Sequence, residues 1–259
     1  MFWWLKPKSE IPTAGLVDIH NHSLPNIDDG ASSVEASLDM YRDFAQCGYS
    51  DVAVSCHFGH PRFPDVSSEK IREGVAEMQS RLDDEGIELK LHPGSEIWCD
   101  DRFEKRWKAG ELLPVGGDGP YLLIEFALRD PMLRMKDLAF SMSTQGVRPI
   151  LAHPERYDVL LRKPELIHEW KESGWAMQLD LCSLLPGGSG SVRKLARTFL
   201  EQNVFDLGST DLHGPTGKIG KMLELLSREV DTDEMERLLV TNPQRILNGE
   251  YMIQLDPDD

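Results

Sequence analysis

The sequence predicts an α/β fold in which seven parallel strands, alternating with helices, form a closed or nearly closed barrel. Two observations support this prediction. Seven short apolar segments that have the composition of buried strands alternate along the 259 residues with segments of helical periodicity. No glycine-rich phosphate loop of the G-x-G-x-x-G or Walker type follows any of these segments, and this weakens the case for an open, doubly wound sheet.

The seven predicted strands are short, and they are apolar on both faces where their length permits. Parallel strands covered by helices have this composition because neither of their faces contacts water. The predicted strands span residues 15–20, 51–56, 88–92 with an extension towards 97, 121–126, 148–152, 175–181 and 204–208.

The segments between the strands have apolar residues at helical spacing. Val34, Leu38, Tyr41 and Ala45 would share one face of the first helix. In the second helix the shared face would carry Ile71, Val75, Met78 and Leu82, and Ser67 or Ser68 would cap the N-terminus. Further helices are predicted over residues 100–109, 134–145, 164–173, 190–202, 217–229 and 233–240.

The chain is predicted to form a single domain, residues 15–259, preceded by an N-terminal arm, residues 1–14. No internal repeat, low-complexity tract or linker indicates a second domain. The arm begins MFWWLKPK, with apolar residues before the lysines, whereas a signal peptide has the reverse order and a longer apolar run. We expect Phe2, Trp3 and Trp4 to pack on the domain surface; the alternative is a docking peptide for a membrane or a partner.

Composition excludes several classes of function. The chain has 28 Lys and Arg against 44 Asp and Glu, so its formal charge is −16, and binding of nucleic acid through a broad basic face is excluded. No segment approaches the roughly 18 apolar residues of a membrane span. The four cysteines are far apart and form no C-x-x-C pair, which indicates a reducing compartment, and we expect a cytoplasmic protein.

Histidines and carboxylates cluster where the predicted strands end. An H-x-H follows the first strand and a D-x-H follows the last, and single residues occupy the equivalent place on four other strands. In a parallel barrel the carboxyl ends of all strands open on one face, where such folds build their active sites. The candidate metal ligands are His20, His22, Asp29, His57, Glu96, Glu125, His153, Asp211 and His213.

Each of these residues has an ordinary explanation when it is considered alone. An H-x-H segment could be a surface or capping feature, and His153 could simply mark a strand end before Pro154. Glu125 is more informative, because a carboxylate within an apolar strand is costly unless it is paired or bound to a metal. Together they predict a polynuclear metal site. Nine imidazole and carboxylate ligands without thiolate suit two or three ions of Mn²⁺, Fe²⁺ or Zn²⁺.

Seven short motifs follow one another in order along residues 15–248. They are D-I-H-N-H (18–22), D-D-G (28–30), S-C-H (55–57), G-S-E-I (94–97), I-E-F (124–126), A-H-P-E-R-Y (152–157) and T-D-L-H (210–213). Together they resemble the PHP-type bacterial protein-tyrosine phosphatases of capsule and exopolysaccharide synthesis. No single motif carries the resemblance, and the closing segment N-P-Q-R-I at residues 242–246 agrees with it.

The resemblance implies a distorted (β/α)₇ barrel with three metal ions, commonly manganese, at the carboxyl ends of its strands. It implies that His20, His22, Glu96 and Asp211 hold the first ion, that Glu96, Glu125 and His153 hold the second, and that Asp29, His57 and His213 hold the third. Arg156 matches a phosphate-binding arginine, and Arg156 and Asp211 are the expected catalytic residues. Arg62 and Lys218 are weaker candidates for substrate binding, because the basic residues of the family pattern are displaced in both loops.

The predicted function is therefore metal-dependent hydrolysis of phosphomonoesters, above all of phosphotyrosine on a protein. Cys56 and Arg62 have the C-x₅-R spacing of thiol-based tyrosine phosphatases, but Cys56 precedes the candidate ligand His57 and would point to the opposite face. By family analogy the substrate would be the tail of a cognate bacterial tyrosine kinase. The alternatives are another PHP phosphoesterase, such as a histidinol-phosphate phosphatase, and a metal-dependent amidohydrolase. Asp29 of the D-D-G motif argues against the first alternative, and the D-x-H motif and Glu125 fit the phosphatase better than the second.

Overall fold

The structure, a computed structural model, describes residues 9–253, so the predicted packing of Phe2, Trp3 and Trp4 lies outside the described residues. Its strands are all paired in parallel. They are β1 Leu16–Asp18, β2 Tyr49–Ala53, β3 Cys56–Phe58, β4 Lys90–His92, β5 Ser95–Trp98, β6 Tyr121–Glu125, β7 Arg148–Ala152, β8 Ala176–Asp180 and β9 Leu207–Ser209.

Helices connect the strands, and their longer members agree with the predicted segments. The α-helices are α1 Val34–Gln46, α2 Ser68–Glu85, α3 Phe103–Lys108, α4 Met135–Ser143, α5 Asp158–Arg162, α6 Leu166–Glu172, α7 Gly190–Glu201, α8 Ile219–Leu226, α9 Thr232–Glu236 and α10 Asn242–Leu247. The predicted helix 233–240 is only partly correct, because α9 passes into a π-helical turn, Arg237–Thr241, before α10. Within the described part of the chain, no helix is both long enough and apolar enough to cross a membrane.

The second helix illustrates how the local sequence defines an element. Ser67 caps α2 by accepting a hydrogen bond from the backbone N–H of Lys70, and Gly86 ends the helix in the left-handed conformation that glycine adopts without steric cost. All four apolar residues of the predicted face are buried, namely Ile71, Val75, Met78 and Leu82. The choice between Ser67 and Ser68 is therefore resolved in favour of Ser67.

Two of the seven predicted strands are interrupted in the middle, and the two halves of each belong to different sheets. β2 pairs with both β1 and β4 in a three-stranded sheet of order β1-β2-β4, whereas β3 and β5 belong to a six-stranded sheet of order β3-β5-β6-β7-β8-β9. The breaks adjoin each other: Pro93 lacks a backbone N–H, and a Cβ on Gly94 would lie 2.9 Å from the carbonyl oxygen of Val54. The predicted continuous strands 51–56 and 88–97 are thus wrong in their middle residues.

The curl of the sheets brings the first and last strands together beyond their ends. The backbone N–H of Asp211 donates to the carbonyl of His20 at 2.7 Å, and that of His22 donates to Leu212 at 2.8 Å. On the other side of this segment, Ser55 donates its backbone N–H to Asn21 at 2.9 Å. The H-x-H and D-x-H segments are therefore neighbours, although about 190 residues separate them in sequence.

Two apolar clusters lie on the two faces of the curled sheet. On β6, Tyr121 and Leu123 belong to an inner cluster built from strand residues, while Leu122 and Ile124 belong to the outer cluster that contains the helices. Since alternate strand residues point to the same face, Glu125 continues the inner row at the carboxyl end of the strand. The inner cluster thus supports the polar mouth from below.

Candidate metal centre

The nine predicted ligand residues converge on the mouth formed by the carboxyl ends of the strands. Every one of them belongs to a group whose nitrogen and oxygen atoms lie within 4.8 Å of one another, and these groups contain no other residues. The four groups are His22 with Asp29, His57 and His213; His20 with His153 and Asp211; His20 with His22 and Glu96; and His57 with Glu96 and Glu125. Their role as ligands remains a prediction, but their proximity is observed.

Glu96 lies at the centre of this arrangement and is buried. One of its carboxylate oxygens, Oε1, lies 3.0 Å from His153 Nε2 and 3.3 Å from His20 Nε2. The other, Oε2, lies 2.9 Å from His57 Nδ1 and 3.5 Å from His22 Nε2. A carboxylate with imidazoles on both oxygens has the arrangement that a bridge between two cations requires.

The outer group is more open to solvent. Asp29 Oδ1 lies 3.5 Å from both His57 Nε2 and His213 Nε2, and the His22 and His213 rings stack with centroids 4.0 Å apart. The side chain of His213 is 38% exposed, whereas that of His22 is fully buried. Solvent and substrate can therefore reach the centre from this side.

The donor atoms fit a set of divalent ions. Five of them are buried and make no hydrogen bond: Nε2 of His20, Nε2 of His22, Nδ1 of His57, Oδ1 of Asp29 and Oε2 of Glu125. Buried polar atoms without a partner are rare in native proteins and call for a physical explanation. Imidazole nitrogens and carboxylate oxygens without thiolate are ligands for Mn²⁺, Fe²⁺ or Zn²⁺.

Neighbouring side chains orient the two histidines of the H-x-H segment. His20 Nδ1 lies 2.9 Å from Gln178 Oε1, and His22 Nδ1 lies 2.7 Å from Asp28 Oδ2. Because these acceptors engage Nδ1, the proton is held there and Nε2 of each ring is left free to bind a metal. Gln178 Oε1 also accepts the backbone N–H of His153 at 3.2 Å.

The electrostatics of the cluster favour bound positive charge. Burial alone would lower the pKa of His20, but the carboxylates of Asp211 and Glu96 raise it well above its usual value. Burial and the nearby charge of Glu96 raise the pKa of Glu125 to about 9. Cations at the centre would allow Glu125 to ionise and would replace the protons that the imidazoles otherwise share with the carboxylates.

Backbone conformation also helps to position two of the nine residues. His153 and Asp211 have positive φ angles of 36° and 49°, which side-chain-bearing residues rarely adopt. Regular alternation along β7 would place His153 on the outer face with Leu151, and the left-handed conformation interrupts that alternation. Strain of this kind is typical of functional sites, where the surrounding structure maintains it.

Gly30 provides the space for the D-D-G loop to approach the H-x-H segment. A Cβ at this position would lie 1.9 Å from the carbonyl oxygen of His22. Only glycine allows this approach, which places Asp28 against the ring of His22 and Asp29 beside His57.

Arg156 reaches the centre, and both of its ion-pair partners are buried carboxylates. Its guanidinium pairs with Asp180 and, through Nη1, with Asp211 Oδ2 at 2.8 Å. The side chain of Arg156 is 30% exposed, so solvent reaches part of it.

The two weaker substrate-binding candidates have different locations. Arg62 Nη1 lies 3.2 Å from Asp29 Oδ2, at the rim of the mouth, with its side chain 67% exposed. Lys218 is exposed and immediately precedes α8, and no contact with the centre is observed for it among the described residues. The geometry therefore supports Arg62 more strongly than Lys218.

Sequence reasoning missed three residues that support the centre: Asp18, Gln178 and Asp180. Asp18 is fully buried and accepts backbone N–H groups from His20 at 3.1 Å and Thr210 at 2.7 Å, which ties the H-x-H segment to the D-x-H segment. Strand alternation could have indicated Asp18, which precedes His20 by two residues. Nothing local indicates Gln178 or Asp180, because their partners are distant in sequence.

Fold and site together define the class of protein: a parallel α/β protein with candidate metal-binding groups at the carboxyl ends of its strands. The particular family follows from comparison. The chain belongs to the CpsB/CapC family of capsular polysaccharide synthesis, whose model matches residues 16–248. The resemblance drawn from the motifs is thereby confirmed.

Individual relatives agree over nearly their whole length. A putative tyrosine-protein phosphatase CapC of Staphylococcus aureus is 28% identical, covering 94% of this chain and 96% of the relative. The tyrosine-protein phosphatase YwqE of Bacillus subtilis is 26% identical, covering 93% and 95%. Crystal structures of YwqE and of CpsB from Streptococcus pneumoniae are described as unique metal-dependent tyrosine phosphatases; the match has a TM-score of 0.84 and 26% identity, and it covers 93% of this chain and 97% of the other.

More distant structures share the fold alone. An amidohydrolase from Mycoplasma synoviae is 15% identical with a TM-score of 0.60, covering 95% of this chain and 91% of that one. A histidinol phosphate phosphatase from Lactococcus lactis is 11% identical with a TM-score of 0.51, covering 85% and 96%. These identities carry no argument for the two alternative functions, and the comparisons favour the tyrosine phosphatase over both.

Proposed function

We propose that the protein is a metal-dependent tyrosine-protein phosphatase that hydrolyses phosphotyrosine on other proteins. The observation that carries this proposal is the convergence of nine imidazole and carboxylate side chains, with Arg156 beside them, on one mouth of the fold. The family membership and the printed names of the relatives support the same activity.

The assignment of ligands to ions is the one that the family resemblance implies, and the proximity of the nine side chains supports it. We assign His20, His22, Glu96 and Asp211 to a first ion, Glu96, Glu125 and His153 to a second, and Asp29, His57 and His213 to a third. His57 also lies 3.5 Å from Glu125 Oε2, so it could serve the second ion as well. When bound, such ions supply an activated water and neutralise phosphoryl oxygens.

The remaining residues orient the substrate and the ligands. Asp180 and Asp211 hold the guanidinium of Arg156, which keeps donors free for the phosphoryl oxygens; a planar fork can engage two oxygens at once. A phenol with a pKa near 10 leaves more readily than an alkyl alcohol, so a strong general acid at the leaving oxygen is less necessary. The chemistry of the leaving group thus favours aryl phosphates over alkyl phosphates.

Finer points of the proposal follow from the resemblance and from the composition. The metal would be Mn²⁺, with Fe²⁺ or Zn²⁺ as alternatives, and the substrate would be the tail of a cognate tyrosine kinase of polysaccharide synthesis. Residues 15–259 would form one distorted (β/α)₇ barrel domain. The four unpaired cysteines fit a cytoplasmic location.

Substrate comparison tests this function. Metal-loaded protein is expected to release phosphate from a phosphotyrosine peptide much faster than from the matched phosphoserine peptide or from histidinol phosphate. Chelation should abolish release, and added Mn²⁺ should restore it. Hydrolysis of histidinol phosphate, or of a cyclic amide, without hydrolysis of the phosphotyrosine peptide would support one of the alternatives instead.

A further inference from the structure

A row of aromatic rings extends from the candidate metal centre towards solvent. The ring of Phe63 stacks on that of His57, with centroids 5.4 Å apart and an interplanar angle of 7°. His60 lies 5.4 Å from Phe63, and the edge of Trp98 packs on His60 at 4.5 Å. We call His60, Phe63 and Trp98 the aromatic wall.

The aromatic wall is accessible and lies directly beside the centre. Its three residues are neither fully buried nor fully exposed, so each leaves part of its surface open to solvent. Trp98 follows Glu96 by two residues on β5, on the same face of the strand, and it is paired in register with Glu125. A group that projects outwards from the centre therefore meets these rings.

Arg106 holds the two parts of the wall together. Its guanidinium pairs with Asp100 and donates to the carbonyls of Gly59 at 3.3 Å and Trp98 at 3.4 Å. A Cβ on Gly59 would lie 2.1 Å from Arg106 Nη1, so glycine is needed for this approach. The loop that carries His60 and Phe63 is thus fixed to the end of β5 that carries Trp98.

We propose that the aromatic wall is the subsite for the phenyl ring of an aryl phosphate. With the phosphoryl group at the centre, the ring of a bound phosphotyrosine extends past His57 and packs against Phe63 and Trp98. Aromatic rings prefer offset or edge-to-face packing at centroid distances of about 4.5–7 Å, and the contacts of His60 with Phe63 and Trp98 within the wall fall in this range. An alkyl phosphate has no ring for this contact, so the wall selects aryl over alkyl esters.

Non-hydrolysable inhibitors test the subsite without relying on turnover of a natural substrate. Phenylphosphonate carries the ring and methylphosphonate lacks it, so the ratio of their competitive inhibition constants isolates the ring contact. We expect Trp98→Ala to weaken phenylphosphonate about threefold to tenfold and methylphosphonate less than twofold. Trp98→Phe should restore most of the loss, and Phe140→Ala, which removes an exposed ring from α4, should change neither constant.

The outcomes separate a subsite from a merely structural role. Trp98 does not stack on His57, and equal metal content in all variants, measured by mass spectrometry, excludes damage to the centre. Equal weakening of both phosphonates would overturn the inference, because it would mean that the wall only supports the centre. Unchanged inhibition by both would overturn it as well.

The inference rests on the proposed phosphatase function, and the two can fail separately. Wild-type protein that hydrolyses the phosphotyrosine peptide but binds both phosphonates equally would overturn the subsite and leave the function standing. Wild-type protein that neither hydrolyses the peptide nor binds either phosphonate would overturn both.

Discussion

Replacing Asp28 by asparagine tests how the centre is held in place without removing a proposed ligand. Asp28 Oδ2 lies 2.7 Å from His22 Nδ1 and accepts the backbone N–H of His57 at 2.9 Å, while Oδ1 accepts the N–H of Gly30 at 3.0 Å. Burial opposes ionisation, but these donors lower the pKa of Asp28 to about 2, so the side chain is a carboxylate at neutral pH.

An asparagine side chain cannot satisfy all three donors. Its amide nitrogen faces the N–H of Gly30 in one orientation, and it faces both His22 and the N–H of His57 in the other. Loss of a carboxylate that orients a ligating histidine costs about tenfold to a hundredfold in metal affinity. That range corresponds to about 1.4–2.7 kcal/mol. We expect the upper part of the range, since Asp28 holds the segments of two proposed ligands, His22 and His57.

Calorimetric titration of Mn²⁺ into metal-free protein measures this effect directly. The matched control is Asp39→Asn, which removes a carboxylate that pairs with Arg42 on the exposed side of α1. The control should bind Mn²⁺ as the wild type does, and both variants should keep the wild-type circular dichroism spectrum. Wild-type Mn²⁺ affinity in a folded Asp28→Asn protein would refute the idea that this carboxylate orients the centre.

Three further predictions concern the same mouth. Arg156→Lys should lower kcat/KM for aryl phosphates by about tenfold to a hundredfold at unchanged metal content, because an ammonium cannot reproduce the planar fork of the guanidinium. Arg129→Lys, at a residue whose side chain is 92% exposed, is the control. Equal kcat/KM in the two variants would contradict the role of Arg156 in phosphate binding. Chelators should abolish activity while iodoacetamide leaves it intact, and inactivation by iodoacetamide with metals retained would argue for a thiol nucleophile. Gly30→Ala should weaken Mn²⁺ binding in a titration, since the new Cβ would lie 1.9 Å from a backbone carbonyl oxygen. The control is Gly188→Ala, whose Cβ meets nothing within 4 Å, and this variant should bind Mn²⁺ normally. Equal affinity in the two variants would show that the D-D-G loop can shift at no cost.

Local sequence was sufficient to indicate the class of fold and the members of the centre. Strand and helix periods depend on residues that are close in sequence, so the alternation of apolar segments predicted a parallel α/β fold. The positions of Glu125 and His153 at strand ends required only the knowledge that parallel strands end on one face. The interruption of the strand at Pro93 and Gly94 was missed, because it depends on how closely the carbonyl oxygen of Val54, between β2 and β3, approaches Gly94.

Only the tertiary structure decided how the members of the centre are arranged and oriented. Gln178 meets His20 across 158 residues of chain, and Asp180 meets Arg156 across 24, so no local pattern indicates either contact. The same holds for the aromatic wall, in which Trp98 meets His60 through the pairing of β5 with β3. Side-chain identity specifies which atoms can bind a cation or a ring, whereas the distances of a few ångströms that bring those atoms together arise from long-range packing of the whole fold.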